Sequence, residues 1–307
     1  MLEDFISIHD LSLYEFHEIL DTAQAIKERP LRFQNKLKNK ISALIFEKPS
    51  PWIRVTFEVA LIELGGQAIF LGPPDIQDKA KAGIEDMGQY LEKWLDAVII
   101  HTANHQAVID LAQGCAVPII NACTSLLHPC QALADFLTLR EKKGDLAQLY
   151  LAYIGLGSNI CHSLLLAAAK AGSTIAVASP PGFEPQPEVV QQAKQDALTS
   201  GAHLYFTQNP EEAVAEADVI YTDIRTSLNY QAGTAKIYQT FAPFQVSQKL
   251  MAKAKKEALF MHGQPWQHGQ EVAEEIINSD LSLVVEQSEN RLHVQKAIML
   301  LLLRKKK

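Results

Sequence analysis

The sequence predicts an α/β protein of two doubly wound domains, each with a mostly parallel sheet, joined by interdomain helices. Short apolar runs alternate with segments of helix length, the polar run from Arg140 to Asp145 interrupts this alternation, and the alternation then restarts. A chain of 307 residues is long enough for two cores. We therefore expect domains over 1–140 and 146–287, with a closing helix in 288–307 that packs on the first domain.

The first half begins with an amphipathic segment, Ser12 to Lys27, whose apolar residues share one helical face and whose N-cap candidate is Ser12. Apolar runs of strand length and helical spacing then alternate. The further expected elements are a strand over Ile41 to Phe46, a helix from Arg54 to Gly65-Gly66, a strand over Gln67 to Leu71, a helix over Glu85 to Leu95, a strand over Ala97 to Ile100, a helix over His105 to Gln113 and a strand over Val117 to Asn121.

After the polar run, a strand over Leu149 to Ile154 leads into Gly155-Leu156-Gly157 and an alanine-rich helix that ends at Gly172. The third glycine of a dinucleotide site is missing and no acidic residue ends the next strand, so nucleotide binding is disfavoured. The further expected elements are a strand over Thr174 to Ala178, a rigid loop over Pro180 to Pro187, a helix over Val189 to Ser200, a strand over Asp218 to Tyr221, a strand end at Phe260 to Pro265 and a closing helix over Ser288 to Leu303.

Composition and charge argue against several classes of protein. The chain has 48% hydrophobic and 21% charged residues, as ordinary globular proteins do. A net charge of -7 disfavours a general nucleic-acid binder. Because no apolar stretch reaches membrane-spanning length and no secretory leader pattern is visible, we expect a cytoplasmic protein with no membrane partner. The four cysteines form no C-x-x-C pair, which indicates buried reduced thiols.

The stretch from Phe46 to Glu58 carries the first candidate site. It has the pattern of a strand, a short turn and the start of a helix. A helix start presents unpaired N–H groups and the positive end of the helix dipole, and both favour a phosphate group. The sequence therefore predicts an anion site here, close to Ser50 and Arg54.

Several motifs, in order along both halves, point to one family. They are Phe46-Glu47-Lys48-Pro49-Ser50, Val117-Pro118-Ile119-Ile120-Asn121 followed by His128-Pro129-Cys130-Gln131 and Asp135, Asn159-Ile160-Cys161-His162-Ser163, Asp223 with Ser227, and the run from Ser288 to Ala297. Together they resemble the aspartate/ornithine carbamoyltransferase family, most closely its ornithine carbamoyltransferases. The resemblance covers nearly the whole chain and implies a homotrimer.

The resemblance implies a reaction in which an amine attacks the carbonyl carbon of carbamoyl phosphate and phosphate leaves. Positioning and fixed charge supply most of the acceleration, so no metal or other cofactor is expected. The implied catalytic residues are His128, which donates to the carbonyl oxygen, Gln131, which holds the carbamoyl amide, and Arg54. The implied carbamoyl phosphate ligands are Ser50, Arg54, Gln77 (lent to the neighbouring subunit), His101, His128 and Gln131, and the implied amino-acid ligands are Asn159, Asp223, Ser227, Leu228, Gly263 and Arg291.

These residue types also have ordinary structural interpretations. A lone His or Gln commonly makes a satisfied structural hydrogen bond. An Asp at a strand end, such as Asp223, suits a helix N-cap, and Arg291 suits an i,i+4 pair on its own helix. At the level of sequence these alternatives stay open.

Departures from the family pattern cluster on the phosphate side. The family's Thr-Arg-Thr-Arg is Pro51-Trp52-Ile53-Arg54 here, and His101 stands where the family has a phosphate-binding arginine. A replacement charge from Lys79 or Lys81 is an open alternative. The family's His-Cys-Leu-Pro is His262-Gly263-Gln264-Pro265 here, which predicts an acceptor longer or more polar than ornithine.

The leading hypothesis is an ornithine carbamoyltransferase-like enzyme that acts on ornithine or a related amino acid. One rival is a catalytically impaired paralogue that binds an amino-acid ligand or serves as a partner subunit. The other is a transferase with a changed donor or acceptor. The features that separate these hypotheses are the Pro51 to Ile53 segment and His101.

Overall fold

The computed structural model describes residues 2–76, 84–223, 239–267 and 269–304. Contacts within the chain divide it into two compact units. Unit 1 comprises residues 1–137 and 289–307, and unit 2 comprises residues 138–288. Among the described helices, none is long and apolar enough to cross a membrane.

Unit 1 is built on a four-stranded parallel sheet in the order β2-β1-β3-β4. Its elements are α1 (Leu13–Glu28), β1 (Ile41–Phe46), α2 (Pro51–Glu63), β2 (Gln67–Leu71), α3 (Pro73–Ile76), α4 (Ile84–Leu91), β3 (Ala97–His101), α5 (His105–Gly114), β4 (Ile119–Cys123) and α6 (Pro129–Lys143), which ends in unit 2. Strands β3 and β4 are buried along their whole length, as expected of inner strands covered on both faces.

The order in which strands are added to this sheet reverses at β1: β2 lies on one side of β1, and β3 lies on the other. Phe46 and His101 end β1 and β3 and face each other in register. The loops that follow both strands therefore leave the same edge of the sheet. Ligand sites of open α/β sheets lie at such switch points.

Unit 2 is built on a five-stranded parallel sheet in the order β7-β6-β5-β8-β9. Its elements are β5 (Tyr150–Ile154), α7 (Asn159–Ala171), β6 (Thr174–Ala178), α8 (Pro187–Ser200), β7 (His203–Thr207), α9 (Pro210–Val214), β8 (Val219–Thr222), α10 (Gln248–Met251), β9 (Leu259–His262), α11 (Glu274–Ile277) and α12 (Val284–Leu303), which ends in unit 1. The switch point lies between β5 and β8, where Ile154 pairs with Thr222.

These two parallel-sheet units confirm the predicted fold class, and α6 and α12 are the helices along which the chain passes from one unit to the other. The first four residues of the polar run, Arg140 to Lys143, belong to α6. Three of these four residues, Arg140, Lys142 and Lys143, are basic and suit a helix C-terminus. The division between units falls slightly earlier, between Leu137 and Thr138.

Several boundaries differ from the sequence-based expectations; for example, α4 ends four residues earlier than expected and α12 begins four residues earlier. Three further differences have a physical reason. Strand β4 begins two residues later than expected, because Pro118 has no N–H for a strand ladder. Helix α2 begins at Pro51 and not near Arg54, because proline fits the first helical position. Strand β7 was not expected at all; it is an edge strand with exposed residues at His203, Tyr205 and Phe206, so its apolar signal is weak.

Candidate active site

The start of α2 follows β1 at the switch point of unit 1. Ser50 is the N-cap, its hydroxyl makes no capping hydrogen bond, and Pro51 is the first helical residue. Proline has no N–H, so the first N–H groups without an intrahelical partner belong to Trp52 and Ile53. The backbone and the Ser50 hydroxyl are therefore the groups that this helix start offers to an anion.

Arg54 is the one cationic residue of the first turn, Pro51 to Arg54, and it is already engaged within unit 1. Its Nε donates to Glu58 Oε1 at 2.8 Å, and its guanidinium carbon lies 3.5 Å from the centroid of the Phe70 ring. Trp52, in contrast, is 69% exposed. The positive charge that Arg54 offers to a phosphate group at this helix start is thus partly balanced by a carboxylate.

His101 lies at the end of β3, next to the same turn. Its ring is 5% exposed and stacks on Phe46 with the centroids 5.2 Å apart. Its Nδ1 has no hydrogen-bond partner among the described residues. Burial lowers the pKa of His101, and the Glu47 carboxylate opposes this shift. His101 is therefore a buried neutral ring at neutral pH and supplies no charge to a phosphate.

The N-terminus of α6 holds Gln131, which is 1% exposed. Its Nε2 donates to Asp135 Oδ1 at 2.7 Å, which fixes the orientation of the amide. Its Oε1 is buried and has no partner within the described part of the chain. Gln131 thus presents a fixed acceptor to an incoming N–H group.

His128 immediately precedes α6 and is 7% exposed. Burial holds the pKa of His128 well below its usual value, the charge of Arg291 lowers this pKa further, and so does His101 at a pH low enough to protonate its ring. These electrostatic effects place His128, Arg291 and His101 in one cluster of unit 1. Because a neutral imidazole keeps one N–H, His128 is able to donate a hydrogen bond at neutral pH.

These histidines predict a loss of stability in acid. Below about pH 6.5 the unfolded chain protonates His101 and His128, whereas the folded chain with lowered pKa values does not, so the unfolded state binds more protons. We expect the free energy of unfolding to fall as the pH drops from about 7 to about 5, with each histidine adding a slope of up to ~1.4 kcal/mol per pH unit.

Urea denaturation across this pH range measures the effect. The variant His128→Gln should give a flatter pH dependence, and His17→Gln, which removes an exposed histidine of α1, is the control. An identical pH slope in the wild type and in His128→Gln would contradict the assignment of a neutral His128.

In unit 2, Asn159 and Asp223 lie at the switch point. Asn159 is the first residue of α7, and Asp223 directly follows β8 and is 5% exposed. Ser158 is the N-cap of α7, and its hydroxyl donates to Asp223 Oδ2 at 2.9 Å. Ser158 thus both caps α7 and donates to Asp223, whereas a helix that Asp223 would cap falls outside the described residues.

Gly263 follows β9 and lies against Asp223. A Cβ at position 263 would lie 2.6 Å from Asp223 Oδ1, closer than real carbon contacts allow. The next residue, Gln264, donates its N–H to His262 Nδ1 at 2.9 Å and its side-chain Nε2 to the Val284 carbonyl. The amide nitrogen of Gln264 is thus held by the backbone of its own unit.

Three of the predicted site residues, Gln77, Ser227 and Leu228, lie outside the described residues, as do Lys79 and Lys81. The structure brings Ser50 and Arg54 to one helix start. It places His101, His128 and Arg291 in one cluster, and Gln131 lies close to His128 in the first turn of α6. In unit 2 it brings Asn159, Asp223 and Gly263 to the switch point of the sheet. Within the described ranges, no three His, Cys, Asp or Glu side chains form a metal-binding group.

The sequence did not single out Ser158, although its hydroxyl contacts the candidate site residue Asp223. Its hydroxyl bonds a residue 65 positions away, and no local spacing indicates such a contact. The available signal was a serine directly before Asn159 at the start of a helix, which favours an N-cap. The role of Asp135 in fixing the Gln131 amide was likewise visible only in the structure.

The fold and these groups define a two-domain α/β protein with one candidate ligand site in each unit. The family model for the aspartate/ornithine carbamoyltransferase carbamoyl-P binding domain matches residues 3–141, and the model for the Asp/Orn binding domain matches residues 147–302. The chain belongs to the aspartate/ornithine carbamoyltransferase family.

Individual relatives match along almost the full chain. The ornithine carbamoyltransferase of Anoxybacillus flavithermus is 44% identical over 303 residues, which are 98% of this chain and 96% of the relative. The solved structure of ornithine carbamoyltransferase from Pyrococcus furiosus is 39% identical with a TM-score of 0.96, covering 99% of this chain and 98% of that one. The Gloeobacter violaceus structure is 36% identical with a TM-score of 0.89, covering 99% of both chains.

Proposed function

We propose that this protein is an ornithine carbamoyltransferase that transfers the carbamoyl group of carbamoyl phosphate to the side-chain amine of ornithine or a related amino acid. In this proposal the amine nitrogen bonds to the carbonyl carbon, the bond from that carbon to the phosphate oxygen breaks, and the amine loses a proton. Relatives named ornithine carbamoyltransferase, one of them described as anabolic, support this reaction and a role in arginine biosynthesis. Unit 1 would bind the donor and unit 2 the acceptor.

The observation that carries the proposal is the Gln131 amide. Its nitrogen is fixed on Asp135 and its buried Oε1 has no partner among the described residues, so it suits the N–H of a carbamoyl group. A buried acceptor without a partner costs free energy, which a bound amide would recover. Neutral His128 would donate to the carbonyl oxygen as negative charge develops there.

The remaining predicted residues take roles around this centre. We assign the phosphate group to the α2 start, with Ser50, Arg54 and His101. Arg291 adds positive charge beside His128. On the acceptor side, Asp223 would bind the α-ammonium group and Asn159 the rest of the amino-acid backbone, because a carboxylate makes a charge-assisted bond to an ammonium. Ser227 and Leu228 keep their predicted acceptor roles.

A citrulline assay tests the proposal. Purified protein with ornithine and carbamoyl phosphate should form citrulline, and His128→Ala, which removes the N–H donor, should reduce kcat by roughly a hundred- to a thousandfold, as expected for loss of one oxyanion donor. The control is His17→Ala on the exposed face of α1. Absence of citrulline together with tight ornithine binding would favour an amino-acid-binding paralogue.

A second candidate, a transferase with a changed donor, is favoured by one observation. The α2 start carries an exposed indole at Trp52, and its neighbour His101 is neutral and buried. Replacing carbamoyl phosphate with other acyl phosphates in the same assay separates the two candidates. A higher kcat/KM with another donor would favour the second.

We further propose a homotrimer in the cytoplasm. Trp52, Val55 and Ile62 are exposed apolar residues spaced three and seven residues apart, so they share one face of α2. A second copy of the chain would cover such a face. All four cysteines are free thiols, which supports a reducing compartment.

Light scattering at micromolar concentration should therefore give the mass of a trimer, and Ile62→Glu should shift the mass toward the monomer because it introduces a charge into the apolar face. Leu198→Glu, at an exposed apolar position of α8, is the control. A wild-type monomer would contradict the quaternary proposal.

A further inference from the structure

Ser158 makes a buried hydrogen bond to Asp223. The Ser158 side chain is buried at 4% exposure, and its Oγ lies 2.9 Å from Asp223 Oδ2. The same Oγ accepts from the backbone N–H of Cys161 at 3.3 Å. A hydroxyl has a single proton and a carboxylate has none to give, so the proton of Ser158 must point at Asp223.

Tyr153 contacts the Ser158 hydroxyl with its own OH group. Its OH donates to the Leu156 carbonyl at 2.7 Å and lies 3.2 Å from Ser158 Oγ. Burial raises the pKa of Tyr153 well above its usual value, and the nearby Asp223 charge raises it further. The phenol of Tyr153 therefore stays neutral beside Ser158 and Asp223. Because this phenol also contacts Ser158, the position of Ser158 does not depend on helix capping alone.

Gly263 gives the carboxylate its space. A Cβ there would lie 2.6 Å from Asp223 Oδ1 and 3.0 Å from Asp223 Cγ. The backbone of Gly263 has little freedom to retreat, because its N–H donates to the Thr222 carbonyl at 3.2 Å. A side chain at position 263 would therefore require the Asp223 carboxylate to turn from the orientation that Ser158 holds in this structure.

We propose that Ser158 is a positioning residue and Gly263 a specificity-determining residue of the acceptor site, acting together by fixing the Asp223 carboxylate. This inference rests on the proposed function, in which Asp223 meets an ammonium group of the acceptor. A carboxylate held on one oxygen by Ser158 keeps its direction when the substrate arrives, so little side-chain entropy is lost on binding. The site selects a cationic acceptor by this fixed charge.

Variants at Ser158 separate positioning from helix capping. Ser158→Gly removes the hydroxyl but remains an adequate N-cap, whereas Ser158→Thr keeps both functions. Gly263→Ala places a methyl group against the Asp223 carboxylate. Ser247→Gly is the matched control, because Ser247 Oγ accepts from Leu250 N at the start of α10, in the same unit and outside the site.

Kinetics and crystal structures of these variants test the inference. Ser158→Gly and Gly263→Ala should each raise the KM for ornithine by about ten- to a hundredfold, as expected for loss of a hydrogen bond to a charged group, and leave the KM for carbamoyl phosphate unchanged. Ser158→Thr should keep the wild-type KM for ornithine, and Ser247→Gly should have the same KM as the wild type. The double variant should lose little more than either single variant, because both changes act through Asp223.

The crystal structures keep the result independent of the proposed function. If Asp223 turns away in Ser158→Gly and in Gly263→Ala while neither the wild type nor any variant forms citrulline, Ser158 and Gly263 do fix the Asp223 carboxylate and it is the proposed function that fails. If Asp223 keeps its orientation in Ser158→Gly, or if the KM for ornithine is unchanged while the enzyme is active, the inference is overturned.

Discussion

Carbamoyl phosphate should bind the wild-type protein on the order of a hundred- to ten-thousandfold more weakly than it binds the variant Pro51→Thr, Trp52→Arg, Ile53→Thr, His101→Arg. The prediction rests on the resemblance to the family, which implies arginine at the positions that Trp52 and His101 occupy here. Each charge-assisted bond contributes ~1.5 to 3 kcal/mol, so two of them contribute ~3 to 6 kcal/mol. The structure adds that Arg54 is paired with Glu58 and that His101 is buried and neutral.

Calorimetric titration of both proteins with carbamoyl phosphate measures this difference. Trp94→Arg is the matched control, because Trp94 and Trp52 are both 69% exposed and only Trp52 lies at the helix start. The control should bind as the wild type does. A micromolar dissociation constant of carbamoyl phosphate for the wild type would contradict the predicted loss of affinity. It would favour the alternative that Lys79 or Lys81 supplies the missing positive charge.

Asp223→Ala should weaken ornithine binding by roughly thirtyfold to several thousandfold, because loss of one partner of a buried charge pair costs ~2 to 5 kcal/mol. Asp223 is 5% exposed, so water is a poor substitute for the missing carboxylate. The effect should appear in the KM for ornithine and in its dissociation constant, with the affinity for carbamoyl phosphate unchanged.

Asp218→Asn is the control for this prediction. Asp218 and Asp223 flank the two ends of β8, and Asp218 accepts from Tyr150 N and Lys255 Nζ at the end away from the switch point. It should change stability and leave ornithine affinity intact. Equal ornithine affinity in Asp223→Ala and the wild type would remove the acceptor site from Asp223.

The sequence predicted three strands with the bounds that the structure shows. Strands β1, β2 and β6 have the expected bounds, because an apolar run between polar or glycine residues marks both ends. Strand β7 has no such signal, since an exposed edge strand shows little apolar periodicity. Where proline starts or delays an element, as at Pro51 and Pro118, the error was two or three residues.

The sequence indicated candidate site residues through motifs, and it missed the contacts that orient them. The bond from Ser158 to Asp223 joins residues that are distant in the chain and adjacent only across the switch point of unit 2. The interpretation of Gly263 also changes. Its missing side chain leaves space that the Asp223 carboxylate occupies, so the substitution does not simply enlarge the acceptor pocket.

Citrulline formation over a range of carbamoyl phosphate concentrations, at saturating ornithine, tests the central claim most directly. The claim is that the protein binds the acceptor amino acid and the carbamoyl group as an active enzyme does, but binds the phosphate group of the donor weakly. We predict citrulline formation whose rate still rises at millimolar carbamoyl phosphate, and saturation at lower concentration in the four-residue variant. Saturation of the wild type at micromolar donor, or no citrulline from the wild type at any donor concentration, would contradict it.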